Sequence, residues 1–371
     1  MDFLATATGG GSDLTALYNI DYRQGRALVR GRRQWASVTA LALVLVALPF
    51  VLPAFYVGEI TFILIMSVAS LGLMVLVGFT GQVSLGQAAF VAIGAYVHAL
   101  LLAQGVPLVL SLLLAGAISG MAGLLIGLPA IRVSGLHLAM VTLAFAIVTE
   151  HAIGRWKSLT GGHSGLAVPD PTLFGISLGG TRPFYFLCLV VLVLVMLGLL
   201  NLMRSSIGRA LIGVRDSEAA AYGLGIAVSR YKVLAFVISA TISGMAGGLL
   251  AHQNQFITPE GFGLSLSLQL VLMVFIGGLG SLRGAIFGAV LIGLLPSFIS
   301  WIKPLLPARL GSSFGLELFV YGAVLTLFVL LEPRGLNGRW LKLRAFIASF
   351  PLYRKGTFRR TKAYMQSERY R

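Results

Sequence analysis

Charged residues and cysteine are both scarce in this chain. Only 11% of its 371 residues are charged, whereas soluble domains carry roughly 25%, and 57% are hydrophobic. This balance excludes a soluble domain and predicts a polytopic membrane protein. Cys188 is the single cysteine and lies in an apolar run, so an intramolecular disulfide is excluded.

Motifs that carry chemistry are missing too. The sequence has no HExxH, no GxSxG and no metal-spaced cluster of cysteine and histidine, so neither a catalytic centre nor a metal site is predicted. Titratable residues are rare within the apolar segments, and those near them lie toward segment ends: His98, His137, Glu150, His151 and Glu317. Proton-driven transporters normally need such groups at membrane depth. The scarcity therefore disfavours both a membrane enzyme and a proton-coupled transporter.

Apolar segments near the ~20-residue length that crosses the hydrocarbon core are abundant. Ten can be placed, which predicts an all-α transmembrane bundle of about ten helices. They cover residues 36–52, 60–78, 88–104, 108–130, 134–152, 183–203, 233–252, 265–281, 284–302 and 314–331. The predicted organisation is a cytoplasmic N-terminal arm over residues 1–35, a transmembrane domain over 36–331 and a basic tail over 332–371.

Basic residues outnumber acidic ones by 28 to 12. In a soluble protein such an excess suggests a nucleic-acid partner. With ten spans threaded from a cytoplasmic N-terminus, however, 23 of the 28 fall on the cytoplasmic side, leaving Arg155, Lys157, Arg182, Lys303 and Arg309 outside. Short cytoplasmic loops collect Lys and Arg. The asymmetry predicts that both termini are cytoplasmic and that the basic tail contacts membrane lipid, with no need for nucleic acid.

Glycine is abundant, at 46 residues, and several glycines recur at four-residue spacing, which places them on one helix face. Small residues let transmembrane helices approach closely. Close helix packing is therefore the favoured interpretation, and direct contact with a transported solute is the alternative. The positions are Gly116, Gly120, Gly123, Gly127, Gly280, Gly284 and Gly288.

The hexapeptide ISGMAG occurs twice, over residues 118–123 and 242–247. The threading runs the two copies in opposite directions across the membrane, as the halves of an inverted-repeat transporter run. An inverted repeat is one interpretation. Coincidence among glycine, alanine and serine is the other.

Two glycine-rich stretches interrupt the apolar pattern with neutral polar side chains. The first, GFTGQVSLGQAAF over residues 78–90, lies between two spans, and irregular backbone of this kind lines wet cavities in transporters. The second, LTGGHSGLAVPD over 159–170, opens an outer loop. An ordinary turn and a solvated loop are the alternatives. The candidates for a solute pathway are Gly81, Gln82, Ser84, Gly86, Gln87, Thr160, Gly161 and Gly162.

One basic, alanine-rich stretch in the middle of the chain cannot span a bilayer: GRALIGVRDSEAAAYGLGIAVSRYK, residues 208–232. The charge distribution places it in the cytoplasm, within a segment over 204–232. Its composition predicts two short helices joined by a glycine turn, which offer a tip to a soluble protein. A lipid-facing amphipathic loop is the alternative. The contact residues predicted are Arg209, Arg215, Asp216, Glu218, Ala219, Ala220, Gly223 and Gly225.

The stretch DSEAAAYGLGI resembles the cytoplasmic coupling segment of ABC importer permeases, where EAA followed by glycine enters a cleft on the ATPase subunit. The order of motifs along residues 60–336 is similar to that of the LivM-type permease family of branched-chain amino acid importers. The motifs are GQVSLGQAAFVAIGAY, VSGLHLAMVTLAF, LTGGHSGL, SIGRALIGVRDSEAAAYGLGI, KVLAFVISATISGMAGGLLA, LMVFIGGLGSLRGAIFGA and LEPRGL. The chain has Ile147 where this family often has a glutamate after TLAF, so no role is transferred to Glu150.

The resemblance implies a permease subunit of an importer in the bacterial cytoplasmic membrane, which binds no cofactor itself. The implied partners are a homologous LivH-type permease, two ATPase subunits that bind ATP and Mg, and a periplasmic substrate-binding protein. The implied cargo is branched-chain amino acids or another small polar solute, since the family also serves urea and amides. An ATP-independent channel or facilitator is the alternative function, and co-purification of ATPase subunits distinguishes the two.

Overall fold

The computed structural model describes most of the predicted transmembrane domain. It covers residues 32–133, 135–170, 172–173, 176–177 and 179–302, together with 319–320, 322–323, 326–327, 335–340 and 343. The arm before residue 32, most of the tenth predicted span and the tail beyond 343 lie outside the described residues. The division into arm, transmembrane domain and tail therefore stays a prediction.

Helices account for nearly all of the described chain. They are α1 (Arg32–Val51), α2 (Ala54–Leu73), α3 (Gln87–Ala103), α4 (Leu108–Ala130), α5 (Leu136–Arg155), α6 (Lys157–Thr160), α7 (Thr181–Arg204), α8 (Ser206–Asp216), α9 (Glu218–Gly223), α10 (Val228–Asn254), α11 (Leu264–Gly277), α12 (Leu282–Gly293) and α13 (Leu295–Ile302). The strands are only two residues long: β1 (Leu166–Ala167) pairs antiparallel with β4 (Phe256–Ile257), and β2 (Thr172–Leu173) pairs with β3 (Ile176–Ser177). The fold is thus mostly helical, as the sequence predicted.

Seven helical stretches among the described residues are long and apolar enough to cross a membrane. They are Ala54–Phe79, Leu108–Ala130, Leu136–Arg155, Thr181–Arg204, Val228–Asn254, Pro259–Gly277 and Leu282–Trp301. Two shorter apolar helices, Thr39–Val51 and Gln87–Ala103, also overlap predicted spans. Each of the first nine predicted segments therefore overlaps a helix. The total of ten stays a prediction, because most of residues 314–331 is not described.

Helix α10 lies at the centre of the bundle and packs against α2, α3 and α4. Small residues make this possible, since a Cβ on Gly94 of α3 would collide with the backbone of Gly244, and one on Gly247 with the backbone of Val91. Glycine at such positions lets helix backbones touch. Backbone contact therefore brings α10 close to α3, beside large buried side chains such as Phe90 and Phe236.

The two ISGMAG copies face each other across the interface of α4 and α10, since a Cβ on Gly244 of the second copy would meet Ser119 of the first. Gly116 lies against Met245, Gly120 against Thr241 and Gly123 against Ala240. The residue numbers on α10 fall as those on α4 rise, so the two helices run antiparallel. This agrees with the opposite directions given by the threading, whereas an inverted repeat of the whole fold stays a prediction.

Two breaks interrupt the helices close to each other. Helix α2 continues as a π-helix, Met74–Phe79, and then gives way to residues 80–86, here called the polar loop. Helices α11 and α12 are separated by residues 278–281, here called the glycine loop, in which Gly278 and Gly280 have φ of 108° and 78°. Glycine adopts such angles at little cost. The breaks are neighbours, because a Cβ on Gly78 would lie 2.8 Å from the Gly280 nitrogen.

The bundle has two distinct ends. One end carries residues 205–227, which include α8 and α9, and is here called the coupling end after the segment that the sequence predicted. The far end carries residues 156–170 and 255–263, joined by the β1–β4 pair and by a 2.6 Å contact between His163 Nδ1 and Glu260 Oε1. This arrangement assigns each predicted site residue to an end or to the interior.

Candidate functional site

The polar loop lies in the interior of the bundle, where neutral polar side chains are almost fully buried. Gln82 is 5% exposed, and Ser84 and Gln87 are 0% exposed. Gln87 begins α3 and reaches residues in the middle of the 27-residue helix α10. Polar groups at this depth are costly unless they find partners, so the partners of each side chain decide what the loop does.

Hydroxyl groups on three neighbouring helices hold the polar loop and the start of α3. The Gln87 amide nitrogen donates to the hydroxyls of Ser239 and Ser243 on α10. The backbone nitrogen of Leu85 donates to Thr142 Oγ1 of α5 at 3.0 Å. The backbone nitrogen of Ala88 donates to Ser267 Oγ of α11 at 3.1 Å. The break is therefore tied to three separate helices by neutral hydrogen bonds.

Among the described residues, three buried side-chain atoms near this break and one nearer the far end have no hydrogen-bond partner. They are both side-chain polar atoms of Gln82, the Gln87 Oε1 and the Tyr96 hydroxyl. Leaving a buried donor or acceptor unsatisfied costs about 1–3 kcal/mol. These atoms are free to bind a polar solute. Of the pathway residues predicted from sequence, Gln82 and Gln87 have such unpaired atoms.

The other predicted pathway residues, Thr160, Gly161 and Gly162, lie at the far end. Thr160 Oγ1 donates to the backbone oxygens of Ile153 and Trp156 at 2.6 and 2.8 Å, so it fixes the end of α5. Gly86 of the polar loop approaches α5 at Thr142, whereas Gly162 approaches it at Gly154. Twelve residues of helix separate those points, or about 18 Å at 1.5 Å per residue. The structure does not bring the two predicted stretches into one site.

The segment predicted to contact a soluble partner forms two short helices, α8 and α9, as predicted. Their junction differs from the prediction, because Ser217 rather than glycine separates them. Ser217 is extended and its side chain accepts a hydrogen bond from the Ala220 nitrogen, which caps α9. The glycine turn comes after α9, where Gly225 has φ of 78°.

The tip of this segment is exposed. Residues 218–220 and 222–225 are all exposed, and Tyr222 and Leu224 reach 78% and 81%. Sequence reasoning did not select these two side chains. The signal was present, since two large apolar residues flank Gly223 in an otherwise small and polar stretch. Exposed apolar side chains grouped in this way mark interaction surfaces.

Two charged residues of the segment bind the bundle. Glu218 Oε2 accepts from Lys232 Nζ at 2.7 Å, and the Lys232 side chain is only 5% exposed. Arg215 Nη1 donates to the backbone oxygen of Gly78 at 3.0 Å. Asp216 is exposed and accepts from Arg215 Nε and Nη2 at 3.0 and 2.9 Å, while Arg209 is exposed and donates to the Arg204 carbonyl. Glu218 and Arg215 therefore attach the tip rather than extend from it.

The glycines predicted to mediate helix packing divide into two groups. Gly116, Gly120, Gly123 and Gly127 face α10, and Gly284 and Gly288 of α12 face the backbone of α11. Gly280 does not share that helix face, because α12 begins at Leu282 and Gly280 lies in the glycine loop with φ of 78°. The serine at position 281 explains the later start, since its side chain accepts from the Gly284 nitrogen and caps α12.

A buried histidine pair lies toward the far end. The Nε2 atoms of His98 and His252 are 2.9 Å apart, and Ser111 Oγ lies 2.9 Å from His98 Nδ1. Sequence analysis placed His98 near a span end and did not select His252. His252 also lines a cavity of about 540 Å³ together with Glu59, Asp170 and Gln253. The far end thus holds a cavity that is lined in part by polar side chains.

Comparison with known families gives one match that covers most of the chain. The family described as branched-chain amino acid transport system, permease component, matches residues 55–329. No solved structure matches the chain.

Individual relatives agree with this match. LivM of Salmonella typhimurium, a high-affinity branched-chain amino acid transport system permease protein, is 37% identical over 285 residues, which is 70% of this chain and 67% of that protein. The probable branched-chain amino acid transport permease protein LivH of Methanocaldococcus jannaschii is 27% identical over 307 residues, 79% of this chain and 95% of its own. The autoinducer 2 import system permease protein LsrC of an Enterobacter species is 31% identical over 226 residues, covering 58% and 62% of the two chains.

Proposed function

Since this chain belongs to the permease component family of branched-chain amino acid transport systems, we propose that it is the permease subunit of an ATP-driven importer. Its relatives are named as transport permeases, which implies a transport subunit rather than an enzyme. In the proposed complex it pairs with a homologous LivH-type permease, two ATPase subunits that bind ATP and Mg, and a periplasmic substrate-binding protein. The chain itself holds no cofactor.

The exposed tip around α9 is the observation that carries this proposal. A channel needs no surface for a soluble motor, whereas the tip presents Tyr222 and Leu224 to the surroundings at one end of a membrane bundle. We infer that the ATPase subunits bind this tip. When ATP closes the ATPase dimer, the tip moves with it and the helices shift as rigid bodies.

The proposed cargo is a branched-chain amino acid or a related small polar solute. LivM relatives are named for branched-chain amino acids and LsrC for autoinducer 2, so the family permits more than one solute. The unpaired atoms of Gln82 and Gln87 support a route through the polar loop. Neutral groups bind a solute weakly enough to release it, and the far-end cavity is the proposed entrance.

Co-purification tests the proposal against the alternative of an ATP-independent channel. The tagged chain is isolated from its native membrane, its partners are identified, and leucine uptake into vesicles is measured with and without ATP. The proposal predicts two ATPase subunits, a second permease and accumulation that requires ATP. A homo-oligomer that equilibrates leucine without ATP contradicts it.

A substitution at the tip, paired with one at the far end, adds a matched control to the co-purification test. Leu224→Asp is expected to reduce retention of the ATPase subunits, because burying a leucine at an interface contributes roughly 1.5–3 kcal/mol. Leu159→Asp changes an exposed leucine at the far end and is expected to retain them. Equal retention in both variants contradicts docking at the tip.

A further inference from the structure

Arg215 connects the coupling segment directly to the polar loop. It lies in the last turn of α8, three residues before the tip begins at Glu218. Its Nη1 donates to the carbonyl of Gly78, which is in the last turn of the π-helix that precedes the polar loop. Carbonyls in a final helical turn lack intrahelical partners, and a guanidinium there also complements the helix dipole. The contact is therefore a helix cap supplied by another element.

The Arg215 side chain occupies a space that two glycines, Gly81 and Gly280, leave free. A Cβ on Gly280 would lie 2.8 Å from Arg215 Nη1, and a Cβ on Gly81 would lie 3.2 Å from Arg215 Cγ. Gly78 supplies the carbonyl itself. Both helix breaks therefore meet at one arginine, and a side chain at Gly280 or Gly81 would press against it.

Asp216 fixes the direction of the guanidinium. Its Oδ1 accepts from Nε and Nη2 of Arg215 at 3.0 and 2.9 Å, which leaves Nη1 for Gly78. Arginine can make these contacts together because its donors are held in a planar fork. A lysine carries a single nitrogen on a flexible stem and cannot reproduce the set.

We propose that Arg215 is a positioning residue that transmits movement of the coupling segment to the polar loop through the Gly78 carbonyl. When α8 and α9 move with the ATPase subunits, the guanidinium displaces the end of the π-helix and the glycine loop together. Gln82 follows Gly78 by four residues, and its backbone nitrogen donates to the Leu76 carbonyl of the same π-helix. The unpaired Gln82 amide therefore moves with the helix end that Arg215 holds. This inference rests on the proposed function, because it needs a moving tip.

Cysteine accessibility in the complete importer tests this connection. The reporter is Val83→Cys in a Cys188→Ser background, because Val83 is half-buried in the polar loop and was not assigned to the pathway. The rate of its modification by a water-soluble maleimide is measured with and without a non-hydrolysable ATP analogue. With Arg215 present, the rate is expected to change by at least about fivefold, the lower range for coupling between sites.

Arg215→Ala is expected to reduce this nucleotide-dependent change to less than about twofold, below the usual range of site coupling. Fewer leucine molecules are then moved per ATP hydrolysed. Arg215→Lys is expected to fall between the two, since it restores the charge on a single donor nitrogen without the planar fork. Arg230→Ala removes an exposed arginine at the start of α10 and is expected to keep the full change. Co-purification of the subunits checks that each variant assembles.

The outcomes separate this inference from the function it rests on. A full nucleotide response in assembled Arg215→Ala overturns the role of Arg215 and leaves the importer proposal intact. An equal loss in Arg230→Ala also overturns it, because the effect would then not be specific to the contact between Arg215 and Gly78. If the parent complex shows neither a nucleotide response nor ATP-dependent uptake, the importer proposal fails, and the inference fails with it.

Discussion

Gln82 and Gln87 have the same side chain and lie five positions apart, yet their surroundings differ. The Gln87 amide nitrogen donates to two serines of α10, whereas neither polar atom of Gln82 has a partner among the described residues. A buried amide without partners stores a desolvation cost that a bound solute can relieve. We therefore infer a mainly structural role for Gln87 and propose Gln82 as the side chain available for a solute.

Replacing each glutamine with leucine separates these roles. Gln82→Leu is expected to raise the free energy of unfolding by about 1–3 kcal/mol, because the unpaired amide is removed. Gln87→Leu is expected to lower it by about 0.5–1.5 kcal/mol, because Ser239 and Ser243 lose their donor. Heat-induced unfolding of the solubilised protein measures both. Uptake should fall about tenfold in Gln82→Leu, the loss expected from about 1.4 kcal/mol of hydrogen bonding.

Gln104→Leu is the matched control, since Gln104 is exposed at the end of α3 and should tolerate the change. A Gln82→Leu protein that is more stable and transports normally would remove Gln82 from the pathway.

Helices in this protein pack closely where glycine, which has no side chain, occupies the contact positions. Gly94 and Gly244 place α3 and α10 in backbone contact, and Gly284 and Gly277 do the same for α12 and α11. Such contacts depend on van der Waals packing, because lipid provides no hydrophobic drive for helix association. A methyl group at these positions must separate two backbones.

A pair of glycine-to-alanine changes tests this packing. Gly247→Ala in α10 puts a Cβ against the backbone of Val91, and overpacking of this kind lowers the free energy of unfolding by about 1–3 kcal/mol. Gly198→Ala in α7 has no atom within 4 Å and is expected to gain up to about 1 kcal/mol from helix propensity. Thermal unfolding compares them. Equal midpoints would show that α10 can move away from α3 at no cost.

The sequence predicts these elements well where local composition determines them. Length and apolarity located the first nine segments, and the loss of apolarity after Arg204 located α8 and α9. It does not predict contacts between distant residues: Arg215 and Gly78 are 137 positions apart, and His98 and His252 are 154 apart. Spacing along the chain carries no information about such pairs. Gly280 was assigned to a helix face because its four-residue spacing looks helical, whereas the Ser281 cap starts α12 later.

At the scale of the whole molecule, charge differs between the two ends. Among the side chains described within residues 36–302, the coupling end carries seven basic and two acidic side chains, and the far end carries three basic and four acidic ones. The basic ones at the coupling end are Arg132, Arg204, Arg209, Arg215, Arg230, Lys232 and Arg283. Short loops rich in Lys and Arg remain in the cytoplasm. We therefore expect the coupling end to face the cytoplasm and the far end to face outward.

Labelling of single cysteines in intact cells checks this orientation. In a Cys188→Ser background, Gly261→Cys lies at the far end with no atom near its Cβ, and Ser229→Cys lies exposed at the start of α10. A membrane-impermeant maleimide should modify Gly261→Cys in intact cells and Ser229→Cys only after the membrane is opened. The reverse labelling pattern would show that the bundle has the opposite orientation in the membrane. The tip would then face away from ATP, and no soluble ATPase in the cytoplasm could bind it.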